Sequence, residues 1–295
     1  MANDDARWGF EEGTEISRGR HALRLLGGGT RYEAYLAWDD TLHSLVVVKI
    51  LRPDRTGDAR ALRGLREEAA ALKRVNHPVL VRSFDAVLEG PRPHIVLEHI
   101  EGPRLSTLMR KYGPLPPEQH IPLAFQLCSA MHYMSRREMI HLDVKPRNII
   151  MAAPPRLIDL SIAKSFDDAR SIDGPIGTDA YMAPEQCDPA GKGPIQSPAD
   201  IWGLGVTLFE AAAGYRPWPD PGKDDAGGRW PQLHVEAYDL PDDVPGVMAK
   251  AIWACLEPRP DDRPRADDLA ALLEPLLAAL PRKPVLNRLR PRWRD

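Results

Sequence analysis

The sequence predicts an α+β fold of two unequal lobes, a small β-rich one with a single main helix followed by a larger, mostly helical one. Three observations predict it. Before residue 100, short β-branched or alternating runs are separated by turn residues, with one long helical pattern among them. From Leu105 onward, apolar residues recur at helical spacing. Within the helical part, Ile140 to Ile150 reads I-H-L-D-V-K-P-R-N-I-I, a polar run with apolar residues on both sides. Such a run is a loop pinned at its ends to a core, and Pro146 argues against a continuous helix through it.

The bulk numbers narrow the function classes. With 295 residues, 43% hydrophobic and 27% charged, the chain has ordinary globular composition and length enough for a large core or two lobes. A net charge of -3 argues neither for nor against a nucleic-acid partner, and 6% aromatics disfavour a stacking platform for single strands. Cys128, Cys187 and Cys255 are odd in number and far apart, and no C-x-x-C occurs. Neither a disulfide framework nor a zinc site is indicated, and a reducing cytoplasm fits. The histidines show no H-E-x-x-H pairing. The start, M-A-N-D-D, lacks the pattern of a signal peptide. Leu269 to Leu280 is apolar but short, and Glu274 and Pro275 break it, so it cannot span a bilayer. A soluble protein is expected.

Taken in order, residues 1–19 are polar and irregular and read as a loosely attached leader. His21 to Leu26 alternates as a strand, and Gly27, Gly28 and Gly29 follow in L-G-G-G-T-R-Y-E-A-Y-L-A-W-D. A glycine turn between strands lets backbone N–H groups approach a phosphate, although a plain hairpin turn would look the same. Leu45 to Leu51, L-V-V-V-K-I-L, is a strand whose only charge is Lys49. Asp58 to Val75 is rich in helix formers, carries Glu67 and Glu68, and is stopped by Asn76-His77-Pro78. Val79 to Leu88 and His94 to Leu97 read as two further strands. Leu105 to Lys111 is a short helix. Pro117 to Arg137 is a longer amphipathic one through Ile121, Phe125, Leu127, Met131 and Met134. Asp159 ends a strand-like run, and the last fourteen residues hold six Lys or Arg. That tail reads as a solvated segment, with docking to an anionic partner as the sharper alternative.

The central run closely resembles the catalytic loop of eukaryotic-type protein kinases, H-R-D-L-x-x-x-N, and other motifs appear in the family's order. The glycines resemble its Gly-rich loop, V-V-V-K its strand lysine, and R-L-I-D-L-S its D-F-G segment. Gly177 to Glu185, G-T-D-A-Y-M-A-P-E, resembles the end of an activation segment, and Asp200 opens D-I-W-G-L-G-V. The wording of several motifs looks like bacterial serine/threonine members. The resemblance implies a bilobal kinase fold: a small antiparallel sheet lobe over 20–100, a helical lobe over 101–280, and a basic tail over 281–295. It implies ATP and Mg²⁺ as cofactors and a protein Ser or Thr hydroxyl as acceptor. Asp143 would handle the hydroxyl proton and Lys145 the γ-phosphate. Lys49, paired with Glu68, would hold the α- and β-phosphates, and Asn148 and Asp159 the metal. Gly27 to Gly29 would cradle phosphate, and the backbone of Glu98 to Ile100, after Leu97, would meet the base. Asp200 would brace the catalytic loop, and Arg263 would pair with Glu185.

Four positions depart from the family pattern. Tyr32 stands for the third glycine, Ala34 for the valine on adenine, Leu142 for the catalytic-loop arginine and Ser161 for the glycine after D-L. Leucine cannot pair with a phosphate on the activation segment, so activity is expected without phosphorylation of Ser165 or Ser171. The departures also motivate an alternative, a pseudokinase serving as a nucleotide-binding scaffold. A small-molecule phosphotransferase is opposed by the A-P-E segment and D-I-W-G-L-G-V, and a nucleic-acid binder has only the tail in its favour. Input to a chain without a recognisable sensor is expected from a regulatory partner or a homodimer.

Overall fold

Backbone pairing begins earlier in the chain than its polar start suggests. The computed structural model describes residues 7–220 and 228–280. A sheet is built from β1 (Glu15–Ser17), β2 (Arg20–Gly28), β3 (Tyr32–Asp39), β4 (Ser44–Leu51), β5 (Ser83–Val87) and β6 (His94–Glu98). Its order is β1-β2-β3-β4-β6-β5, all antiparallel. The expectation of a loose leader fails for residues 8–17. Ile16 is buried, Trp8 and Phe10 pack on the outer face of the sheet, and β1 pairs with β2. Aromatic side chains set singly among charges give no period, yet they bury like any other apolar group.

The main helix, α1 (Ala59–Arg74), is capped as its sequence requires. Asp58 accepts from the N–H groups of Arg60 and Ala61, and Lys73 and Arg74 occupy the last turn. Leu65, Ala69 and Leu72 bury against the sheet, and so does Glu68. The strand expected over Val79 to Leu88 is shorter. Val79 and Val81 instead bond with Leu157 (Leu157 N to Val79 O 2.6 Å, Val81 N to Leu157 O 3.0 Å), drawing the chain toward the second lobe.

That lobe holds α2 (Leu105–Tyr112), α3 (Pro117–Arg136), α4 (Phe166–Arg170), α5 (Pro184–Cys187), α6 (Pro189–Lys192), α7 (Pro198–Ala213), α8 (Gly246–Cys255) and α9 (Ala266–Ala279). Met131 and Met134 lie in its core, as the helical spacing implies. α7 is apolar all round and buried, the mark of a central helix. Gly205 on α7 allows this packing, since a Cβ there would sit 2.6 Å from that of Cys255. Between α3 and α4, two short pairs, β7 (Met139–Ile140) with β10 (Lys164–Ser165) and β8 (Ile149–Ile150) with β9 (Arg156–Leu157), hold the polar loop open to the cleft. The basic tail lies outside the described residues.

Candidate active site

Lys49 sits in the middle of β4, opposite Ala34 on one side and Ile95 on the other. Alternation along the strand buries Val48 and Ile50 in the outer core and turns Lys49 to the other face, toward α1 and the cleft. Its Nζ donates to Glu68 Oε1 at 2.7 Å and to Asp159 Oδ1 at 2.8 Å. Burial would lower the ammonium's pKa, but the two carboxylates raise it above the usual lysine range. Burial would likewise raise Asp159, yet Lys49 and a bond from Ser161 hold its carboxyl well below the usual range. Glu68 goes the other way, raised by burial and by Asp159 despite Lys49. Asp159 has φ 70, a left-handed conformation that few residues other than glycine tolerate. Its neighbours over-determine it, so the carboxylate is delivered to Lys49 by a strained backbone.

The catalytic-loop residues gather next to this triad. Asp200 at the start of α7 is buried and accepts from the N–H groups of His141 (2.7 Å) and Leu142 (2.8 Å). Leu142 is thereby held at φ 66 with its side chain in the core. Asp143 then emerges half-buried. It accepts from Lys145 Nζ (2.6 Å), Asn148 Nδ2 (3.0 Å) and Thr178 Oγ1 (2.7 Å), and Lys145 also reaches Thr178 (2.5 Å). Ile158 N donates to Asn148 O at 2.8 Å, and this bond with the β8–β9 pair sets Asn148 beside Asp159. Both Asn148 bonds to Asp143 come from its amide nitrogen, which leaves its side-chain oxygen as the atom able to accept a bond or to ligate. Among the described residues no group of three or more His, Cys, Asp or Glu could hold a metal. Two hard oxygen donors fit Mg²⁺ that keeps waters and phosphate oxygens, rather than a cation caged by protein alone.

At the glycines, a Cβ on Gly28 would lie 2.9 Å from Tyr32 O, so only glycine fits, and Gly27 has φ 151. Gly29 N donates to Tyr32 O at 2.9 Å, closing the turn. Glu98 ends β6, and its carboxylate accepts from Arg82 N at 2.9 Å. Ile100 follows, packed on the main core. Glu185 and Arg263 meet as expected, at 2.6 and 2.9 Å. Three contributors were not read from sequence: the Tyr32 ring beside Lys49, Ser161 on Asp159, and Gln186, which donates to Leu142 O and Ile176 O. The first two stood out only as departures from a motif, and Gln186 carried no signal.

A two-lobed fold with an ionic triad facing an acid–amide–lysine loop defines a phosphoryl-transfer scaffold. The protein kinase domain model matches residues 20–272, and the chain belongs to that family. It is 34% identical over 203 residues to serine/threonine-protein kinase PknB of Mycobacterium leprae, covering 66% of this chain and 32% of that one. Serine/threonine-protein kinase PkaA of Streptomyces coelicolor is 32% identical over 237 residues, 76% of this chain and 42% of that one. Serine/threonine-protein kinase PrkC of Bacillus subtilis is 32% identical over 210 residues, 70% and 32%. The chain thus spans 32% to 42% of the length of these curated relatives. The family generally uses ATP with Mg²⁺.

Proposed function

We propose that the chain is a serine/threonine protein kinase that transfers the γ-phosphate of ATP to a protein Ser or Thr hydroxyl. The observation that carries this reading is the meeting of Lys49, Glu68, Asp159, Asn148 and Asp143, from four separate segments, in one cleft. Phosphoryl transfer passes through a loose transition state, so the protein's work is positioning and charge stabilisation. Lys49, fixed by Glu68, takes the α- and β-phosphates, while the N–H groups of Gly27 to Gly29 cradle the chain of phosphates. Asn148 and Asp159 would hold Mg²⁺, which when bound offsets charge on the β- and γ-oxygens. Asp143 orients the acceptor hydroxyl and receives its proton. Lys145 is placed to meet the γ-phosphate and Thr178 fixes both side chains. The backbone of Glu98 to Ile100 meets the base.

Protein substrates follow from the reading, with a regulatory partner or a second copy supplying input. The described cysteines are buried and free, in keeping with a reducing cytoplasm. No helix among the described residues is long and apolar enough to cross a membrane. Incubation with γ-labelled ATP, Mg²⁺ and a protein acceptor tests the proposal. Label recovered on serine or threonine is expected; label on tyrosine alone, or none, overturns it.

A further inference from the structure

Tyr32 faces the phosphate end of the cleft and has no role in the reading above. It begins β3, and alternation puts its ring on the cleft face while Glu33 turns to the outer face. Lys49 Nζ lies 4.8 Å from the Tyr32 ring centroid. The phenol oxygen reaches α1, 3.5 Å from where a Cβ on Gly64 would stand. Burial, then Glu68, push the phenol's pKa up, so the ring stays neutral at physiological pH. Among the described residues its hydroxyl has no hydrogen-bond partner, so it is the ring that matters. Lys49 is therefore lined by Glu68, Asp159 and an aromatic face.

The outer face of the same hairpin is clamped. Buried Glu33 accepts from Trp8 N (3.3 Å) and from the Tyr35 hydroxyl (2.8 Å). The Trp8 indole donates to Leu51 O at 2.7 Å, two residues beyond Lys49 on β4. Trp8 stacks on Phe10 (5.4 Å), and Phe10 meets Tyr35 edge-on (5.1 Å). Arg92 covers both rings and donates to Glu15 O (2.8 Å) and Ile16 O (3.1 Å). All of the clamp's own residues precede residue 20, where the family match begins. Because successive side chains of a strand point to opposite faces, Glu33 held outside means Tyr32 held inside.

We propose that Tyr32 is a positioning residue for Lys49, and that the Trp8–Ser17 segment is the clamp that keeps it in place. The inference rests on the kinase reading and deepens it: the segment before the family's domain tunes the grip on nucleotide phosphates. The ring holds the ammonium between its carboxylates and walls off the α1 side, leaving the triphosphate its approach from the cleft.

The test is titration of the whole chain with a fluorescent ADP analogue and Mg²⁺, alongside steady-state kinetics in ATP. The variants are Tyr32→Leu, Tyr32→Phe, Trp8→Ala and the double variant Tyr32→Leu/Trp8→Ala. A cation–π contact of a half-buried ring lies between the exposed and the desolvated limits, about a tenfold change in an equilibrium. Tyr32→Leu should weaken the analogue and raise KM for ATP by about that factor, with a smaller change in kcat. Tyr32→Phe keeps the ring and should stay close to wild type. Trp8→Ala should shift KM in the same direction by less, and the double variant should be no worse than Tyr32→Leu, as expected of residues acting through one another. Wild-type affinity in folded Tyr32→Leu would overturn the proposal. If that variant fails to fold, Trp8→Ala with a lowered melting temperature and unchanged KM overturns it instead. A wild type that binds the analogue in this pattern but transfers no phosphate would sink the kinase reading and leave this one standing.

Discussion

Replacing Arg263 by methionine should destabilise the fold by about 3–5 kcal/mol, the cost of leaving a buried charge without its partner. The guanidinium uses all five of its protons. Nη1 donates to Glu185 Oε1 (2.6 Å) and Pro198 O (3.0 Å), Nη2 to Glu185 Oε2 (2.9 Å) and Pro258 O (3.1 Å), and Nε to Glu257 O (2.8 Å). The two side chains are 0% and 1% exposed, so water cannot replace either member. Arg263 also lies over the buried Trp202 ring at 5.0 Å. Against a total stability of about 5–15 kcal/mol the loss is large. Removing both charges, as Glu185→Met/Arg263→Met, should recover much of it, because only the carbonyls then lack donors, at about 1–3 kcal/mol for an orphaned group. Urea unfolding of the three proteins, with unchanged m-values, reads these differences. An Arg263→Met loss below about 1 kcal/mol, the range of a surface pair, would refute the reasoning.

Further outcomes follow from the same structure. Ser165→Ala with Ser171→Ala should leave most activity, because buried Leu142 offers no cation to a phosphate; a collapse in transfer of label would refute this. Ser165 also caps α4, accepting from Asp168 N at 3.1 Å, so the pair of changes should still cost about 1 kcal/mol of stability. Burial holds His120 at about 4 in the folded chain. A depressed base contributes stability above its unfolded pKa and loses it as pH falls toward about 4. His120→Gln should remove about 3 kcal/mol of the fall seen in wild type over that window, as pH-dependent unfolding would show. Lys49→Met leaves Glu68 and Asp159 facing each other, which raises their folded pKa values; the variant's stability deficit should therefore shrink on acidification, while its phosphate transfer is lost.

The small lobe was legible where side-chain pattern and backbone agree. Asp58 and the Asn76-His77-Pro78 stop bracket α1, and the resemblance to the family singles out Glu68 on it, which meets Lys49. The β-branched run around Lys49 gave β4 within a residue. The two-residue strands that frame the loop were not legible, since so short a pairing has no period to read. Nor was the docking of Trp8, Phe10 and Ile16, because each stands alone among polar neighbours and its partners lie on other strands. The residues that meet in the cleft followed from motif order, whereas Gln186 acts by hydrogen bonds to the loop and Ser161 by its nearness to Asp159, contacts set only by the folded chain. Tyr32 read only as a departure from the glycine pattern; the structure gives it a contact with Lys49.

The central claim is that Asp143 serves the chemistry while Lys49, Asn148 and Asp159 serve the bound phosphates. Nucleotide affinity and single-turnover phosphate transfer, measured side by side in wild type and Asp143→Asn, separate these duties. Affinity near wild type with transfer slowed by about 10²–10⁴-fold is the expected result. Transfer at the wild-type rate from Asp143→Asn would contradict the account.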